Sequence, residues 1–230
     1  MRLLTALLLS LATPAIGAGM MASPALAQTS PAQTAPAAPA QNSAALAQIE
    51  NHLRQVKSLQ ADFTQTADTG AVAKGKMILA KPGKVRFDFG EDSPLLIVSN
   101  GSVLSMVDYD VAQVTRWPVK ETPLALLLDD KVSLKGRATV LPANETPEGF
   151  IAIEGRDPKH PEYGTITLFF QKTPKGPAGV MLMGWRVLDG QGRTTLVQLS
   201  NQKLNAEVSN SAFRFKDPRG LRTSRPGRTR

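Results

Sequence analysis

The side chains that most often carry catalysis are few in this sequence and are poorly spaced for it. Its 230 residues include two histidines and no cysteine, so no thiolate is present for nucleophilic attack, disulfide formation or metal binding. His52 lies in a segment with helical spacing, where a solvated side chain is expected, and His160 lies between prolines in PKHPE. Neither histidine has a partner at metal-ligand spacing, so no zinc site is predicted.

Other motifs for catalysis or phosphate binding are also missing. The sequence has no G-x-S-x-G nucleophile turn and no complete Gly-rich phosphate loop. Asp108 and Asp110, in VDYD, have the spacing to bind a hard cation, but such a pair is more typical of a turn between strands. We therefore predict no catalytic residue, no metal site and no cofactor, and we do not expect an enzyme.

The N-terminal residues indicate export. MRLLTALLLSLATPAIGAGMMASPALAQ combines Arg2, an apolar run and an A-x-A pattern that ends at Ala27, which is typical of a cleaved secretory signal over residues 1–27. An uncleaved membrane anchor is the alternative, but Pro14 and Gly17 interrupt the run before the ~20 residues that a span needs. The expected location is the periplasm or the exterior. Residues 28–42, rich in Pro and Ala, are predicted to be a flexible leader.

The elements expected after the leader are one helix and about a dozen short strands. From Ser43, apolar residues recur at helical steps up to Leu59. Thereafter the period changes to two, with turn residues between the runs, including segments 132–141 and 212–216. No long helix separates consecutive strands, so we predict an antiparallel, up-and-down sheet.

Apolar residues on both faces of several strands favour a curled sheet. In GVMLMGWRVL, alternation places Met183 and Trp185 on one face, while the other face is apolar too. With few helices to cover two apolar faces, the sequence predicts a mainly β fold of the α+β type, in which the sheet forms an incomplete, strongly bent antiparallel barrel. Periodicity leaves two alternatives open for its interior, a tightly filled core and a hydrophobic cavity. ETPLALLLDD, residues 121–130, predicts a short apolar helix with Thr122 as its cap.

The net charge of +8 is concentrated near the C-terminus. Lys216 and five arginines stand against Asp217 in residues 216–230, and the rest of the chain is close to neutral. We predict that residues 218–230 form a basic, disordered tail that is either attracted to acidic lipid headgroups or without a specific partner. Nucleic-acid binding is not expected, because no aromatic residue is interleaved with these arginines.

The order of these features resembles the LolA family of periplasmic carriers that transport lipoproteins to the outer membrane. The similarity runs from about Ser43 to Arg219 and is carried by LQADFTQT, KGKMILAKPGKVRFDF, LIVSNGSVLSMVD, ETPLALLL and TTLVQLSNQKLNAEVSNSAFRFKDP. Each segment is weakly specific alone, whereas their order is more specific. The resemblance implies an incomplete, strongly bent barrel of about 11 strands over residues 43–217, with helices as a lid over a cavity that takes up acyl chains.

The resemblance also implies roles for individual residues. The cavity lining is expected to comprise Phe63, Val85, Phe87, Phe89, Met106, Met183 and Trp185. Leu124, Leu127 and Leu128 would belong to the lid and fill the cavity when no lipid is bound. The family's latch arginine is replaced by Lys81, which lacks a guanidinium fork, so the latch is assigned to Lys81 or Arg86.

The implied function is that of a periplasmic chaperone, expected to be a monomer. It would receive lipoproteins from an inner-membrane lipoprotein-releasing ABC transporter and pass them to an outer-membrane acceptor, if one is present. The alternative is a sensor or adaptor that binds a lipid or a lipidated protein as a signal. A secreted hydrolase is a more distant third.

Overall fold

The computed structural model describes residues 38–91, 93–157 and 159–219. The predicted signal over residues 1–27, most of the predicted leader and residues 220–230 of the predicted tail lie outside these ranges. Among the described residues, no helix has both the length and the apolar character needed to cross a bilayer.

The described residues form two α-helices and eleven strands, joined by turns and short 3-10 segments. In chain order these are α1 (Ala38–Gln55), β1 (Ser58–Ala67), β2 (Val72–Ala80), β3 (Lys84–Asp88), β4 (Leu95–Asn100), β5 (Val103–Asp108), β6 (Gln113–Pro118), α2 (Ala125–Leu128), β7 (Ala138–Val140), β8 (Phe150–Arg156), β9 (Thr165–Lys172), β10 (Val180–Leu188) and β11 (Thr194–Leu204).

All eleven strands belong to one antiparallel sheet in the order β6-β5-β4-β3-β2-β1-β11-β10-β9-β8-β7. Neighbouring strands are consecutive in sequence except β1 and β11, which pair in the middle of the sheet. Strands β6 and β7 are the two edges, and they do not pair with each other. The prediction of a mainly β fold with an incomplete antiparallel barrel and few helices is thus confirmed.

The sheet bends strongly, as two aromatic rings on distant strands show. Trp185 of β10 and Phe87 of β3 are separated by three intervening strands. In a flat sheet their backbones would lie about 19 Å apart, at about 4.8 Å per strand. Their ring centroids are only 6.1 Å apart, so the two halves of the sheet turn toward each other.

Bending gives the sheet two distinct faces. The inner face packs against α1 and α2 in one large apolar cluster, which includes Ile49 and Leu53 of α1 and Leu127 of α2. The outer face carries a smaller cluster, in which Phe213 and Phe215 of the C-terminal segment pack with residues of β2, β4, β5 and β6. Both aromatic residues alternate as a strand would, but residues 212–216 do not join the sheet, and the strand predicted there is wrong.

Most of the strand predicted over residues 132–141 is also absent. Only Ala138–Val140 pairs with β8, although Val132 and Leu134 are fully buried with the alternation of a strand. Side chains of α1 bind this backbone instead: the Arg54 guanidinium donates to the Val132 carbonyl at 3.1 Å, and the Leu134 N–H donates to Glu50 at 3.1 Å. The backbone at Val132 and Leu134 is thus hydrogen-bonded to side chains of α1 and not to a neighbouring strand.

The two helices differ from their predicted bounds. Helix α1 begins at Ala38, five residues before Ser43, where the helical spacing was expected to begin. Helix α2 has only four residues and begins after Leu124, while Thr122 donates its hydroxyl to the Val119 carbonyl instead of capping a helix. The segment between β6 and β7 is therefore held by few helical hydrogen bonds.

The prediction that His52 is solvated is wrong. Its side chain is 2% exposed, its ring meets Phe170 edge-on at a centroid distance of 5.4 Å, and its Nδ1 lies 2.9 Å from the Pro177 carbonyl oxygen. Because a carbonyl only accepts, Nδ1 carries the proton. Burial lowers the pKa of His52 below its ordinary value, which favours the neutral ring.

Candidate functional site

Aromatic rings from both halves of the sheet meet on the inner face. Phe63 of β1 packs edge-on against Phe87 at 5.4 Å and against Phe89 at 5.2 Å, and Phe87 continues the contact to Trp185. Gly75 faces Phe63 across the β1–β2 ladder, and a Cβ on Gly75 would lie 2.8 Å from the Phe63 ring. The glycine of KGKM therefore lets this ring lie across β2.

Five of the seven residues predicted to line the cavity lie together in the inner cluster. Phe63, Val85, Phe87 and Trp185 are buried, and Phe89 is partly buried against them. Val85, Phe87 and Phe89 recur at every second residue, which is the pattern of side chains on one face of an extended chain. Whether they contact lipid stays a prediction.

Met106 lies on the inner face but outside the filled region. It pairs with Ile97, which in turn pairs with Phe87, so the three side chains point to the same side of the sheet. Met106 is 37% exposed, however, and does not belong to the inner cluster.

Met183 occupies a different place from the one that alternation predicts. The β9–β10 pairing shifts register between Leu182 and Gly184, so a bulge interrupts the alternation. Val180 and Leu182 consequently share the inner cluster with Trp185, and Met183 is absent from it. Its sulfur lies instead 3.9 Å from the side-chain nitrogen of Gln202.

The segment Leu124–Leu128 fills the space beneath it with its own side chains. Leu126, Leu127 and Leu128 are each at most 5% exposed, and Leu124 packs against the same cluster. We call Leu124–Leu128 the leucine plug. A void of only about 10 Å³ remains beside Leu127, bordered by Leu53, Val56 and Leu79 among others, which is about the space of one water molecule.

A much larger cleft of about 840 Å³ opens outside the plug. It lies where the two edges of the sheet fail to meet, and residues from both sides line it, among them Val119, Lys120 and Arg137. Ala125 and Leu128 of the plug form part of its wall. The plug therefore separates this open cleft from the apolar interior.

The turn between β2 and β3 holds the plug through its main chain. The Gly83 N–H donates to the Leu128 carbonyl oxygen at 3.0 Å. The hydroxyl of Ser99, which is completely buried, donates to the Gly83 carbonyl oxygen at 2.7 Å and fixes the turn to β4. Gly83 has a φ of +72°, a conformation that glycine adopts at little cost.

Lys81, the first predicted latch, contacts α1 directly. Its ammonium donates to the Leu53 carbonyl oxygen at 2.5 Å, in the last turn of the helix. Burial, reinforced by the charge of Lys57, lowers the pKa of Lys81 to about 8. Asp129 and Asp130, just after the plug, act in the opposite direction and attract the charged form. Lys81 thus lies between the end of α1 and the acidic end of the plug.

Arg86, the second predicted latch, lies on the outer face. Its guanidinium donates to Asp88 at 2.7 Å and reaches the carbonyl oxygens of Ala212 and Arg214 in the C-terminal segment. None of its hydrogen bonds or ion pairs in the described part of the chain reaches the plug. This placement does not fit a latch, because the sheet lies between Arg86 and Leu127.

The described residues contain no group of three or more His, Asp or Glu side chains that could hold a metal ion. Asp108 accepts backbone hydrogen bonds from Asp110 and Val111, as an aspartate in a turn does. His160 stacks on Tyr163 and lies 3.0 Å from Glu162 at the rim of the cleft. The chemistry offered by the inner face is apolar contact.

Comparison with known families and proteins gives concordant matches. Residues 54–216 match the model of the family described as outer membrane lipoprotein carrier protein LolA. The outer-membrane lipoprotein carrier protein of Chromobacterium violaceum is 30% identical over 194 residues, which cover 80% of this chain and 89% of that protein.

Two further matches are more partial or more distant. An uncharacterised protein of Rickettsia prowazekii is 38% identical over 93 residues, and the match spans 40% of this chain and 44% of that protein. A crystal structure of a LolA superfamily protein from Nitrosomonas europaea matches with a TM-score of 0.40 and 12% identity, and covers 76% of this chain and 97% of that one.

Proposed function

Because this chain belongs to the LolA family of outer membrane lipoprotein carrier proteins, we propose that it binds the acyl chains of lipoproteins released from the inner membrane and carries them through the periplasm to the outer membrane. The proposed partners are the lipoproteins, an inner-membrane lipoprotein-releasing ABC transporter and an outer-membrane acceptor. Neither a cofactor nor catalysis is part of this proposal.

The observation that carries the proposal is the leucine plug. Three consecutive buried leucines fill a space enclosed by Leu53 of α1, by Val56 just after that helix, and by apolar side chains of the bent sheet. Outside them lies the open cleft of about 840 Å³. An acyl chain that displaced the plug would find the same apolar contacts that the leucines now have.

The free energy of exposing an acyl chain explains why such a carrier is needed. Each methylene exposed to water costs about 0.8 kcal/mol, so a chain of about sixteen carbons costs on the order of 12 kcal/mol. A carrier must offset most of this cost and must still release its cargo. When an acyl chain takes the place of the leucines, one buried apolar surface replaces another. The free energies of the empty and loaded states therefore differ little.

The local structure favours such an exchange. Helix α2 has four residues, so moving it sacrifices few main-chain hydrogen bonds. The tether from Gly83 to Leu128 is a single hydrogen bond of 3.0 Å, which typically contributes about 1 kcal/mol. We assign the latch role to Lys81, whose ammonium lies between Leu53 and the carboxylates of Asp129 and Asp130.

The direct test is capture of lipoprotein by the purified protein. Incubated with spheroplasts, the protein should copurify with diacyl or triacyl lipoprotein detectable by mass spectrometry. The matched control is the same lipoprotein with its lipidated cysteine replaced by serine, which should not be captured. Equal capture of both forms would contradict recognition through acyl chains.

Depleting the protein in cells distinguishes the proposed carrier function from the alternative function as a sensor. Loss of a carrier should leave lipoproteins in the inner membrane, whereas loss of a sensor should change gene expression with lipoprotein sorting intact. Correct location of every lipoprotein after depletion would overturn the proposed function.

A further inference from the structure

The described residues include one buried side-chain oxygen without a hydrogen-bond partner, the Oε1 atom of Gln202 in β11. The nitrogen of the same amide donates to the Leu182 carbonyl oxygen of β10 at 2.7 Å. Gln202 is therefore held at one end of its amide only. Because buried polar groups are nearly always hydrogen-bonded, this oxygen indicates a site for a hydrogen-bond donor.

An irregular part of the sheet brings the Gln202 side chain to this place. The ladder between β10 and β11 ends at the pair of Gly184 and Gln198, although both strands continue. Farther along β11, the pairing with β1 shifts register, so that Asn201 and Gln202 both lie opposite Ala61. A bulge of this kind redirects a side chain. The Gln202 amide consequently bonds to β10 where the main chain of β11 does not.

The small internal void beside Leu127 collects polar groups from three elements. Its volume is about 10 Å³, and Gln202 of β11, Lys81 of the turn after β2 and His52 of α1 all border it. The other residues that line it are apolar. A space that was only a packing defect between leucines would not be expected to have three polar side chains around it.

Lys81 has hydrogen-bond donors to spare. An ammonium carries three N–H donors, and among the described residues the Lys81 side chain donates only to the Leu53 carbonyl oxygen. It does not donate to Gln202, whose Oε1 has no partner within hydrogen-bond distance. A donor and an acceptor thus border one void without touching, and a molecule that both accepts and donates would join them.

We propose that the void binds one water molecule, which accepts a hydrogen bond from the Lys81 ammonium and donates one to Gln202 Oε1, and that Gln202 is thereby a positioning residue for the latch. The volume of about 10 Å³ is about what one water needs. Buried waters typically make two to four hydrogen bonds to groups that are otherwise unsatisfied, and this void offers such groups.

The bridge gives Lys81 a second attachment. Its ammonium is held by α1 through the Leu53 carbonyl and by the sheet through the water and Gln202. Leu127 borders the same void, so an acyl chain that displaced this leucine would also displace the water and free Lys81 from β11. The part played by the bridge in loading rests on the proposed function, whereas the bridge itself is tested without lipid.

The first test follows the ionisation of Lys81 by NMR of protein with isotope-labelled lysine, with the signal assigned by its loss in Lys81→Met. Gln202→Met removes the acceptor of the bridge and keeps a side chain of similar length. The pKa of Lys81 should fall, and its acid dissociation constant should rise about tenfold or more, as expected for the loss of a hydrogen bond to a charged group. Gln202→Glu adds a negative charge and should raise the pKa of Lys81.

Gln48→Met is the matched control. Gln48 is also partly buried, and its amide donates to the Ala178 carbonyl oxygen at 2.9 Å, but it does not border the void. The loss of a structural amide alone should leave the pKa of Lys81 unchanged. The other charged or titratable groups that face Lys81 stay in place in every variant, and they are His52, Lys57, Asp129 and Asp130.

A high-resolution crystal structure of the wild-type protein tests the water directly and does not depend on how a variant folds. One water should lie within hydrogen-bond distance of both Lys81 Nζ and Gln202 Oε1. An empty void, or a direct contact between these two atoms, would overturn the bridge. An unchanged pKa of Lys81 in Gln202→Met, or an equal fall in Gln48→Met, would overturn it as well.

Uptake of a fluorescent fatty acid distinguishes the bridge from its role in the latch. Gln202→Met should take up the probe several-fold faster than the wild type, because Lys81 has lost one of its two attachments, and Gln48→Met should not. A lowered pKa of Lys81 with unchanged uptake would overturn the positioning role and leave the bridge. Absence of uptake by the wild-type protein would contradict the proposed function, and the results on the bridge would still stand.

Discussion

The N–H of Gly83 donates a 3.0 Å hydrogen bond to the carbonyl oxygen of Leu128, so the turn before β3 holds the last residue of the leucine plug. The contact is between main chains, and it depends on the exact path of the turn rather than on a charged side chain. Ser99 fixes that path by donating its hydroxyl to the Gly83 carbonyl. The plug is thus attached to the sheet at its C-terminal end.

Gly83→Ala should loosen the plug. A Cβ at this position would lie 2.1 Å from the Gly101 carbonyl oxygen, so the turn must shift and the hydrogen bond to Leu128 should break. We expect faster amide hydrogen exchange at Leu128 and Asp129, whose N–H groups bond within α2. The free energy of unfolding should also fall by more than the ~1–2 kcal/mol cost of a left-handed alanine.

Gly70→Ala is the matched control for this substitution. Gly70 has a φ of +82°, similar to that of Gly83, but a Cβ there would meet nothing within 4 Å. The free energy of unfolding should fall only by the conformational cost of a left-handed alanine, and amide hydrogen exchange at Leu128 and Asp129 should stay unchanged. If both variants exchange alike at Leu128, the turn does not hold the plug.

The parts of the fold that follow from local pattern were predictable from the sequence. Alternation in β3 places Val85 and Phe87 on one face, and turn residues delimit the strands, whereas the assignment of Phe63 to the cavity rests on the resemblance to the LolA family. The same reasoning failed at Met183 because a bulge at Leu182 and Gly184 adds one residue to the ladder. A glycine within a strand, such as Gly184, is compatible with a bulge, but whether one forms depends on how β9 and β10 pair.

Contacts made by α1 could not be predicted from local pattern either. The helical spacing predicts which face of α1 is apolar, but it does not predict the direction in which α1 crosses the sheet. That direction decides that Lys81 meets Leu53, that His52 is buried against Phe170, and that Glu50 and Arg54 bind the backbone at Leu134 and Val132. Residues 132–136 therefore resemble a strand in sequence yet pair with helix side chains.

Lys81 should make stability depend on pH in the alkaline range. Its pKa is lowered from 10.5 to about 8 in the folded protein, so between these values the unfolded chain binds more protons. The free energy of unfolding should therefore rise with pH from about 8 to about 10.5, by at most about 3 kcal/mol. Below pH 8 both states are protonated and the contribution is constant.

Denaturant unfolding of Lys81→Met over this pH range checks the assignment. The variant should lack the rise, because the buried amine is gone. Lys74→Met, which removes an exposed lysine of β2, should keep it. A rise of equal size in Lys81→Met would show that another group is responsible.

His52 should destabilise the protein when the pH falls. Its pKa lies below the ordinary value of 6.5 because the ring is buried, so just below pH 6.5 the unfolded chain binds the proton more readily. The free energy of unfolding should decrease as the pH is lowered from about 6.5 toward the folded-state pKa. His52→Gln should show a smaller decrease over this interval. Equal acid sensitivity in His52→Gln would contradict the prediction.

Leu127→Ala should bind acyl chains more tightly although it is less stable. Leu127 is 4% exposed and borders the small internal void, so its truncation should lower the free energy of unfolding by about 2–5 kcal/mol. Under the exchange proposed here, cargo must displace this side chain, and a plug that packs less well is cheaper to displace. The affinity for a fluorescent fatty acid should therefore rise by about tenfold or more, since a factor of ten corresponds to 1.4 kcal/mol.

Ile153→Ala on β8 separates exchange from general loosening of the core. Ile153 is fully buried in the same inner cluster but belongs to the sheet, not to the plug. Its truncation should cost a similar amount of stability, because the removed apolar volume is similar. It should leave the energy of displacing the plug unchanged, so fatty-acid affinity should not rise as it does in Leu127→Ala. An equal rise in both variants would mean that any weakened core admits the probe, and a fall in Leu127→Ala would mean that Leu127 helps to bind lipid rather than competing with it.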